Sequence, residues 1–286
     1  MRLEFRDLTL DYDGVRALDR ITIALEGDIV GFLGANGSGK TSVLRIVAGV
    51  TPASSGEALV DGTPVVAGLV PWISYLPQET GFFPFHQHPQ QTLRLSLAFR
   101  GLVDPEAPRQ VLAALGLGEE DRSAEGFSGG MKQKLRVAQA LIHSPRLLLL
   151  DEPTTGLDPR ERNRILRLLE RLRGRVGVVF STHDPADAAA VSDQVVILDR
   201  GSVAAAGSPA DLTRLARERV FEVRAASSFL PDSNPYEIIR AERTAAGFRL
   251  RVIGARPAGA EAVEPTLEDA YLLLTQRTRD GRRLES

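Results

Sequence analysis

Residues 34–41, GANGSGKT, carry the clearest chemical signal in the sequence. They match the pattern G-x-x-x-x-G-K-[S/T] and lie between an apolar stretch and a segment with helical periodicity. The glycines allow the backbone N–H groups to curl around a phosphate chain, and the following helix directs its positive end at the same anion. Lys40 is then placed to reach β- and γ-phosphates, and the Thr41 hydroxyl to bind Mg²⁺. The run predicts a nucleotide site.

Two acids follow an apolar run later in the chain. The four leucines of 147–150 precede Asp151 and Glu152. Phosphoryl transfer needs one carboxylate for Mg²⁺ and a second that polarises the attacking water. We therefore predict that Asp151 holds Mg²⁺, directly or through water, and that Glu152 is the general base. Taken alone, the run fits equally well a strand that stops at a polar turn before Pro153; the glycine-rich run favours the catalytic interpretation.

The elements that must position these residues alternate between strands and helices. Apolar or alternating runs predict strands at 3–10, 21–25, 28–33, 72–76, 146–151, 176–181 and 195–198. Helical periodicity appears at 39–48 and 160–173, and residues 51–62 resemble a loop leading into a hairpin. A mostly helical stretch at about 86–143 predicts a separate subdomain. Strands that alternate with helices indicate a parallel α/β core.

The C-terminal part of the sequence has a different pattern. Three short strands are predicted at 220–225, 236–242 and 248–254, and a helix at 266–275 has Leu267, Tyr271 and Leu274 on one face. We expect a core domain at 1–218 with its helical subdomain at about 86–143, an accessory region at 219–275, and a charged, disordered tail at 276–286. Dimerisation is one role we consider for the accessory region.

Composition argues against several classes of protein. The chain has 286 residues, a formal net charge of -2 and no cysteine, which disfavours a nucleic-acid surface and excludes disulfides and thiolate metal sites. No apolar run approaches the roughly 20 residues that span a bilayer, and the N-terminus lacks a secretory pattern. We expect a soluble protein that reaches any membrane through a partner.

Two more motifs, taken in their order along the chain with the first two, resemble those of a known family. Residues 127–131, FSGGM, open a predicted helix before the Asp–Glu strand, and residues 181–184, STHD, follow another strand. With these motifs, residues 2–220 resemble the ATPases of the ATP-binding-cassette (ABC) family. The resemblance implies an α/β P-loop NTPase core with an antiparallel β subdomain and a helical insert, to which the small α+β accessory region is added. It also implies ATP hydrolysis with Mg²⁺.

The resemblance implies roles for individual residues. Nucleotide is held by an aromatic side chain that stacks on adenine and by the phosphate loop: Tyr12, Gly34, Ala35, Asn36, Gly37, Ser38, Gly39, Lys40, Thr41 and Ser42. Mg²⁺ is bound by Thr41, Gln78 and Asp151. Catalysis is assigned to Glu152, Gln78, His183 and Asp158, the last in a loop that crosses a dimer interface. The signature residues, which contact the γ-phosphate held by the opposite subunit, are Ser128, Gly129 and Gly130.

The same resemblance implies partners. One chain carries one phosphate loop and one signature, so a complete site needs a second cassette, either a copy or a homologous subunit. A helix N-terminus with free N–H groups suits the signature for this contact. The family resemblance further implies separate transmembrane permease subunits, no nucleic-acid partner, and a cytoplasmic location on the inner face of the cell membrane.

Direction of transport is a finer prediction. Met131 replaces the glutamine of many family members, and this variant and the C-terminal helix resemble exporter-type bacterial cassettes, so we expect export. A non-transport ABC ATPase and a cassette that only regulates a partner are the alternatives. The single cassette without heptad runs or cysteine disfavours the first; Glu152, Gln78 and His183 disfavour the second.

A metal site at His86 and His88 is a weaker hypothesis. The spacing of the two histidines could clip an ion, but no acid or third ligand lies nearby in the sequence. We expect this loop instead to belong to the surface that meets a permease subunit.

Overall fold

The computed structural model describes residues 1–68, 70–78, 88–118, 123–226, 236–245 and 247–275. The chain divides into two compact units, Met1–Val203 and Ala204–Ser286. The boundary predicted at 218/219 therefore lies inside the second unit. The predicted tail at 276–286 falls outside the described residues.

The elements of the described chain follow one another as an alternation of strands and helices. The strands are β1 Arg2–Tyr12, β2 Val15–Glu26, β3 Ile29–Leu33, β4 Ser55–Val60, β5 Thr63–Pro64, β6 Ile73–Leu76, β7 Leu147–Leu150, β8 Gly177–Thr182, β9 Gln194–Asp199, β10 Ser202–Gly207, β11 Val220–Ala225, β12 Tyr236–Thr244, β13 Gly247–Gly254 and β14 Glu261–Ala262. The helices are α1 Lys40–Val47, α2 Pro89–Phe99, α3 Ala107–Ala114, α4 Gly129–Leu141, α5 Pro159–Leu172, α6 Pro185–Val191, α7 Pro209–Arg214 and α8 Leu267–Thr275.

A six-stranded sheet with the order β10-β9-β3-β8-β7-β6 forms the centre of the core. Strand β3 pairs in parallel with β8 and β9, and β7 pairs in parallel with β6 and β8. Every residue of β3 and β7 is buried, as is typical of parallel strands covered on both faces. The predicted parallel α/β core is confirmed.

The second sheet of the first unit is antiparallel, with the order β2-β1-β4-β5. Strands β1 and β2 meet at a tight turn in which Asp13 and Gly14 have φ values of 44° and 88°. An Asp-Gly pair suits such a turn because both positions require positive φ. The second strand was predicted only at 21–25, because the Asp-Gly pair was not used as a turn signal; β2 begins at Val15.

The helical insert lies between β6 and β7 and contains α2, α3 and α4. Its apolar side chains, among them Leu93, Leu112 and Leu135, belong to the same buried cluster as Leu148 and Leu150 of β7. The helices therefore pack against the central sheet. Residues 86 and 87 of the predicted subdomain lie outside the described residues.

The second unit contains an antiparallel sheet with the order β12-β13-β11-β14, together with α7 and α8. Helix α8 buries Leu267, Asp269 and Ala270, while Tyr271 and Leu274 of the predicted apolar face are only half-buried. The cause is a buried ion pair: Asp269, 2% exposed, accepts hydrogen bonds from Arg251 of β13 at 2.9 and 2.7 Å. Periodicity of apolar residues alone could not reveal a carboxylate on the inner face.

Within the described residues, no helix is both long enough and apolar enough to cross a bilayer.

Candidate nucleotide-binding and hydrolysis site

The carboxyl ends of four neighbouring parallel strands carry the predicted site. In the sheet order β3-β8-β7-β6, the phosphate loop follows β3, His183 follows β8, Asp151 and Glu152 follow β7, and Gln78 follows β6. Parallel strands place these ends on one edge of the sheet, where α/β proteins bind their ligands. The topology therefore gathers residues that lie more than 100 positions apart in the sequence.

The phosphate loop has the shape that an anion requires. Gly39 has a φ of 106° immediately before α1, and no side chain caps that helix, so its first N–H groups are free of a side-chain acceptor. A Cβ on Gly34 would lie 2.4 Å from Ser38 Oγ and 2.5 Å from the Leu198 carbonyl oxygen, which only glycine avoids. Ser38 Oγ is buried without a hydrogen-bond partner among the described residues. The cradle fits a chain of phosphates.

Lys40 brings a buried positive charge into this cradle. Its Nζ donates to the carbonyl oxygens of Gly34 at 2.8 Å and Ala35 at 3.0 Å, and lies 3.5 Å from Glu152 Oε1. Burial lowers the pKa of Lys40, while the charges of Glu152 and Asp151 oppose that shift. A cation shielded from water attracts phosphate more strongly than a solvated one.

Glu152 is the centre of the predicted catalytic cluster. Its φ is 49°, an uncommon value for a residue with a side chain, and its N–H donates to Ser181 Oγ at 2.8 Å. The carboxylate accepts from Thr155 Oγ1 at 2.7 Å and from Gln78 Nε2 at 3.4 Å, and Oε2 lies 3.1 Å from His183 Nδ1. These contacts aim the carboxylate at the edge of the phosphate loop.

Charge and hydrogen bonding keep Glu152 ionised. Burial raises the pKa of its carboxyl group, but the hydrogen bond from Thr155 and the charges of Lys40 and His183 outweigh burial and hold the pKa below its ordinary value. An ionised carboxylate only accepts hydrogen bonds, so His183 donates from Nδ1. The group is thus able to orient and polarise a water molecule at neutral pH.

Asp151 is held by hydroxyl groups. Its Oδ1 accepts from Ser181 Oγ at 2.6 Å and its Oδ2 from the Tyr75 hydroxyl at 3.3 Å. Burial and the charge of Asp151 raise the pKa of Tyr75 far above its ordinary value, so the phenol stays a donor. The oxygen donors of Asp151, Thr41 and Gln78 match the preference of Mg²⁺, which takes its remaining ligands from phosphate and water. The residues therefore fit the predicted ion.

A family model described as "ABC transporter" matches residues 19–155. The Fe(3+) ions import ATP-binding protein FbpC of Escherichia coli O157:H7 is 32% identical over 241 residues, which are 81% of this chain and 68% of that protein. The chain belongs to the ABC transporter family, among its ATP-binding proteins. The resemblance inferred from the order of the motifs is confirmed.

Other relatives of this cassette are similar over part of their length. The spermidine/putrescine import ATP-binding protein PotA of Mesoplasma florum is 34% identical over 221 residues, 73% of this chain and 62% of the relative, so the cassette spans less than two thirds of that protein. The structure of cbiO1 from Clostridium perfringens, described as part of the ABC transporter complex cbiONQ, has 27% identity and a TM-score of 0.66 over 73% of this chain and 89% of that one.

The remaining predicted residues of the cassette lie at helix starts and a strand end. Ser128 caps α4 by accepting from Met131 N–H at 3.2 Å, and Gly129 and Gly130 form the first turn of that helix. Asp158 caps α5, accepting two backbone N–H groups at 2.9 and 3.1 Å. Tyr12 ends β1 and is partly exposed.

The hypothesis of a metal site at His86 and His88 lies partly outside the described residues. His88 is the N-cap residue of α2, and His86 lies outside the described residues. Within the described ranges, no group of three or more His, Cys, Asp or Glu side chains is placed to hold a metal ion.

Sequence reasoning missed three hydroxyl groups of the cassette. Ser181 bridges Asp151 and the Glu152 N–H, Thr155 donates to Glu152, and Tyr75 donates to Asp151. Ser181 lies within the STHD motif, and Thr155 lies three positions after Glu152. A search for hydroxyls at the ends of the predicted strands would have found both.

Proposed function

We propose that this cassette binds ATP with Mg²⁺ and hydrolyses it, and that hydrolysis energises transport through separate permease subunits. The observation that carries the proposal is the convergence of Glu152, Gln78, His183 and Lys40 at the end of one sheet. A carboxylate held ionised beside a buried lysine and a phosphate cradle is suited to in-line attack of water on a γ-phosphate.

Each side chain has one task in this proposal. Lys40 and the first turn of α1 would hold the β- and γ-phosphates. Thr41, Gln78 and Asp151 would hold Mg²⁺, which would supply positive charge to the phosphate oxygens. Glu152 orients the water and accepts its proton as the water oxygen bonds to the γ-phosphorus. The bond from that phosphorus to the bridging oxygen breaks, and ADP and phosphate are released. His183 donates to Glu152 through Nδ1 and steadies the carboxylate.

We further propose that two cassettes enclose the nucleotide. The first turn of α4, with Ser128 as its cap, offers N–H groups to the γ-phosphate bound by the opposite cassette, and Asp158 lies in the contact between the two. The second cassette is either a copy of this chain or a homologue. Permease subunits would hold the pair at the inner face of the membrane.

The direction of transport rests on fewer observations than ATP hydrolysis does. Export was predicted from Met131 and the C-terminal helix, but the PotA and FbpC relatives are named as import proteins and do not support it. ATP-driven accumulation or release of a cargo by vesicles that contain the complete transporter decides between the directions.

The decisive experiment compares the wild-type cassette with Glu152→Gln and with Glu170→Gln, a matched change at an exposed position on α5. We expect Glu152→Gln to lower phosphate release by roughly 10²-fold or more while it keeps ATP binding and dimerises with ATP on gel filtration. Glu170→Gln should behave as the wild type. Equal hydrolysis by wild type and Glu152→Gln would show that the assigned base is wrong. A wild type that binds ATP and never hydrolyses it, even with permease subunits, would favour the regulatory alternative.

A further inference from the structure

A partly buried network of charges lies beside the catalytic cluster. Asp187 of α6 is 1% exposed and accepts hydrogen bonds from Thr154 Oγ1 at 2.6 Å and from Arg162 Nε at 2.5 Å. The same guanidinium contacts Asp184 Oδ2 at 2.5 Å through Nη2. Arg162 thus bridges two carboxylates that belong to the same short helix and its cap.

The network joins the two segments that carry the catalytic side chains. Thr154 follows Glu152 by two positions, and Asp184 follows His183 directly. Arg162 belongs to α5, which is separate from both. Asp187 therefore links the chain after β8 to Thr154 in the chain after β7, and the Arg162 guanidinium holds Asp187 and Asp184 in place.

The geometry of Arg162 is demanding. Its planar guanidinium uses Nε for Asp187 and Nη2 for Asp184, a fork that a lysine ammonium cannot reproduce. Burial lowers the pKa of Arg162, but the hydrogen bonds and charges of the two carboxylates outweigh burial and raise it. Without the guanidinium, two carboxylates would face each other with only one hydroxyl donor, Thr154, on the buried one.

His183 Nδ1 lies 3.1 Å from Glu152 Oε2, and these two side chains belong to the segments that the network joins. That separation is near the upper limit of a hydrogen bond, so a shift of about 1 Å breaks it. Displacements of that size reduce enzymatic rates by about 10²-fold when they affect reacting groups.

We propose that Arg162 is a positioning residue that holds the loop bearing His183 against the segment bearing Glu152, through Asp184 and Asp187. The inference rests on the proposed function, because it concerns the rate of hydrolysis at Glu152. Arg162 itself touches neither of the two catalytic side chains through the contacts described above; it acts through the backbone that carries them.

Steady-state ATP hydrolysis by Arg162→Ala, Arg162→Lys and Arg164→Ala tests the proposal. Arg164 is the matched control, since its own side chain is exposed on the same helix, where it forms an ion pair with Glu161. We expect Arg162→Ala to lower kcat by about 30-fold and to change the KM for ATP by less than about 3-fold. Arg162→Lys should recover only part of the rate, and Arg164→Ala should stay within about 2-fold of the wild type.

A double-mutant cycle with His183→Ala separates positioning from general damage to the fold. If Arg162 acts through His183, Arg162→Ala lowers the rate of the His183→Ala cassette by less than about 2-fold. An equal loss in both backgrounds, or a fall in ATP affinity as large as the fall in kcat, would overturn the proposal. If Arg162→Ala does not fold, Asp184→Asn, which keeps the shape of the carboxylate, replaces it in the same double-mutant cycle.

Failure of this proposal is distinguishable from failure of the proposed function. A wild type without hydrolysis contradicts the function. A wild type that hydrolyses ATP, together with an Arg162→Ala variant of unchanged kcat, contradicts only the positioning role.

Discussion

Replacing Ser181 by alanine tests how strongly the hydrogen bonds at the strand ends stabilise the fold around Asp151 and Glu152. The residue is fully buried, at 0% exposure; its Oγ donates to Asp151 Oδ1 at 2.6 Å and accepts the Glu152 N–H at 2.8 Å. In Ser181→Ala that N–H loses its acceptor, which costs about 1–3 kcal/mol, and the bond to a charged acceptor, worth about 1.5–3 kcal/mol, disappears. Because the two losses share one cavity and partly relax together, we expect destabilisation by about 3 kcal/mol.

Ser74→Ala is the matched control. Ser74 is a buried residue of β6 whose hydroxyl has no hydrogen-bond partner among the described residues. Its removal leaves no new unsatisfied group, so the free energy of unfolding should change by less than about 1 kcal/mol in either direction. The two substitutions are chemically identical and differ only in the partners of the hydroxyl.

Urea unfolding measures both variants. The chain has one tryptophan, Trp72, which packs against the core of the first unit directly before β6, so its fluorescence reports on that unit. Far-UV circular dichroism checks the transition with a second signal. If the unfolding free energies of Ser181→Ala and Ser74→Ala lie within about 1 kcal/mol of each other, the hydrogen bonds of Ser181 do not stabilise the strand ends as argued.

Two further predictions concern charged groups. Arg251→Met leaves its carboxylate partner in α8 buried and should destabilise the second unit by about 3–5 kcal/mol, whereas Arg240→Met removes an exposed pair and should cost less than about 1 kcal/mol; thermal melts compare them, and equal melting points would contradict the argument. Burial raises the pKa of Asp193, but the Ile29 N–H and Arg173 outweigh it and hold the pKa below its ordinary value. The stabilisation that ionised Asp193 contributes is complete above that value and is lost as the pH falls towards the folded pKa. In urea unfolding experiments below about pH 4, Asp193→Asn should therefore lose less stability with falling pH than the wild type does. The same pH dependence in both proteins would contradict this.

Local patterns predicted much of the fold. The alternation of apolar runs and helical segments identified the parallel core and the helical insert, because burial on both faces leaves continuous apolar strands. The pattern failed where it depended on few residues. The turn at Asp13 and Gly14 was overlooked, and the inner face of α8 was assigned to Tyr271 instead of Asp269.

The candidate site also contains residues that local patterns predicted and residues whose contacts only the fold revealed. Residues 34–41 form a phosphate cradle from consecutive positions, so their spacing alone predicted it. The partners of Glu152 come from other strands: Gln78 from the end of β6 and His183 from the end of β8. Family resemblance named these two residues, but nothing in the spacing of the sequence showed that they contact Glu152.

The sequence by itself determined which chemistry the chain carries, because a lysine in a glycine-rich turn and two acids after an apolar strand are local features. Only the tertiary structure decided which side chains share a hydrogen bond. The order β3-β8-β7-β6 places four chain segments side by side. The Ser181 hydroxyl joins the end of β8 to Asp151 after β7, and the Arg162 guanidinium of α5 holds Asp184 and Asp187 after β8. Those contacts depend on the pairing of distant strands and on burial, and the spacing of neighbouring residues predicts neither.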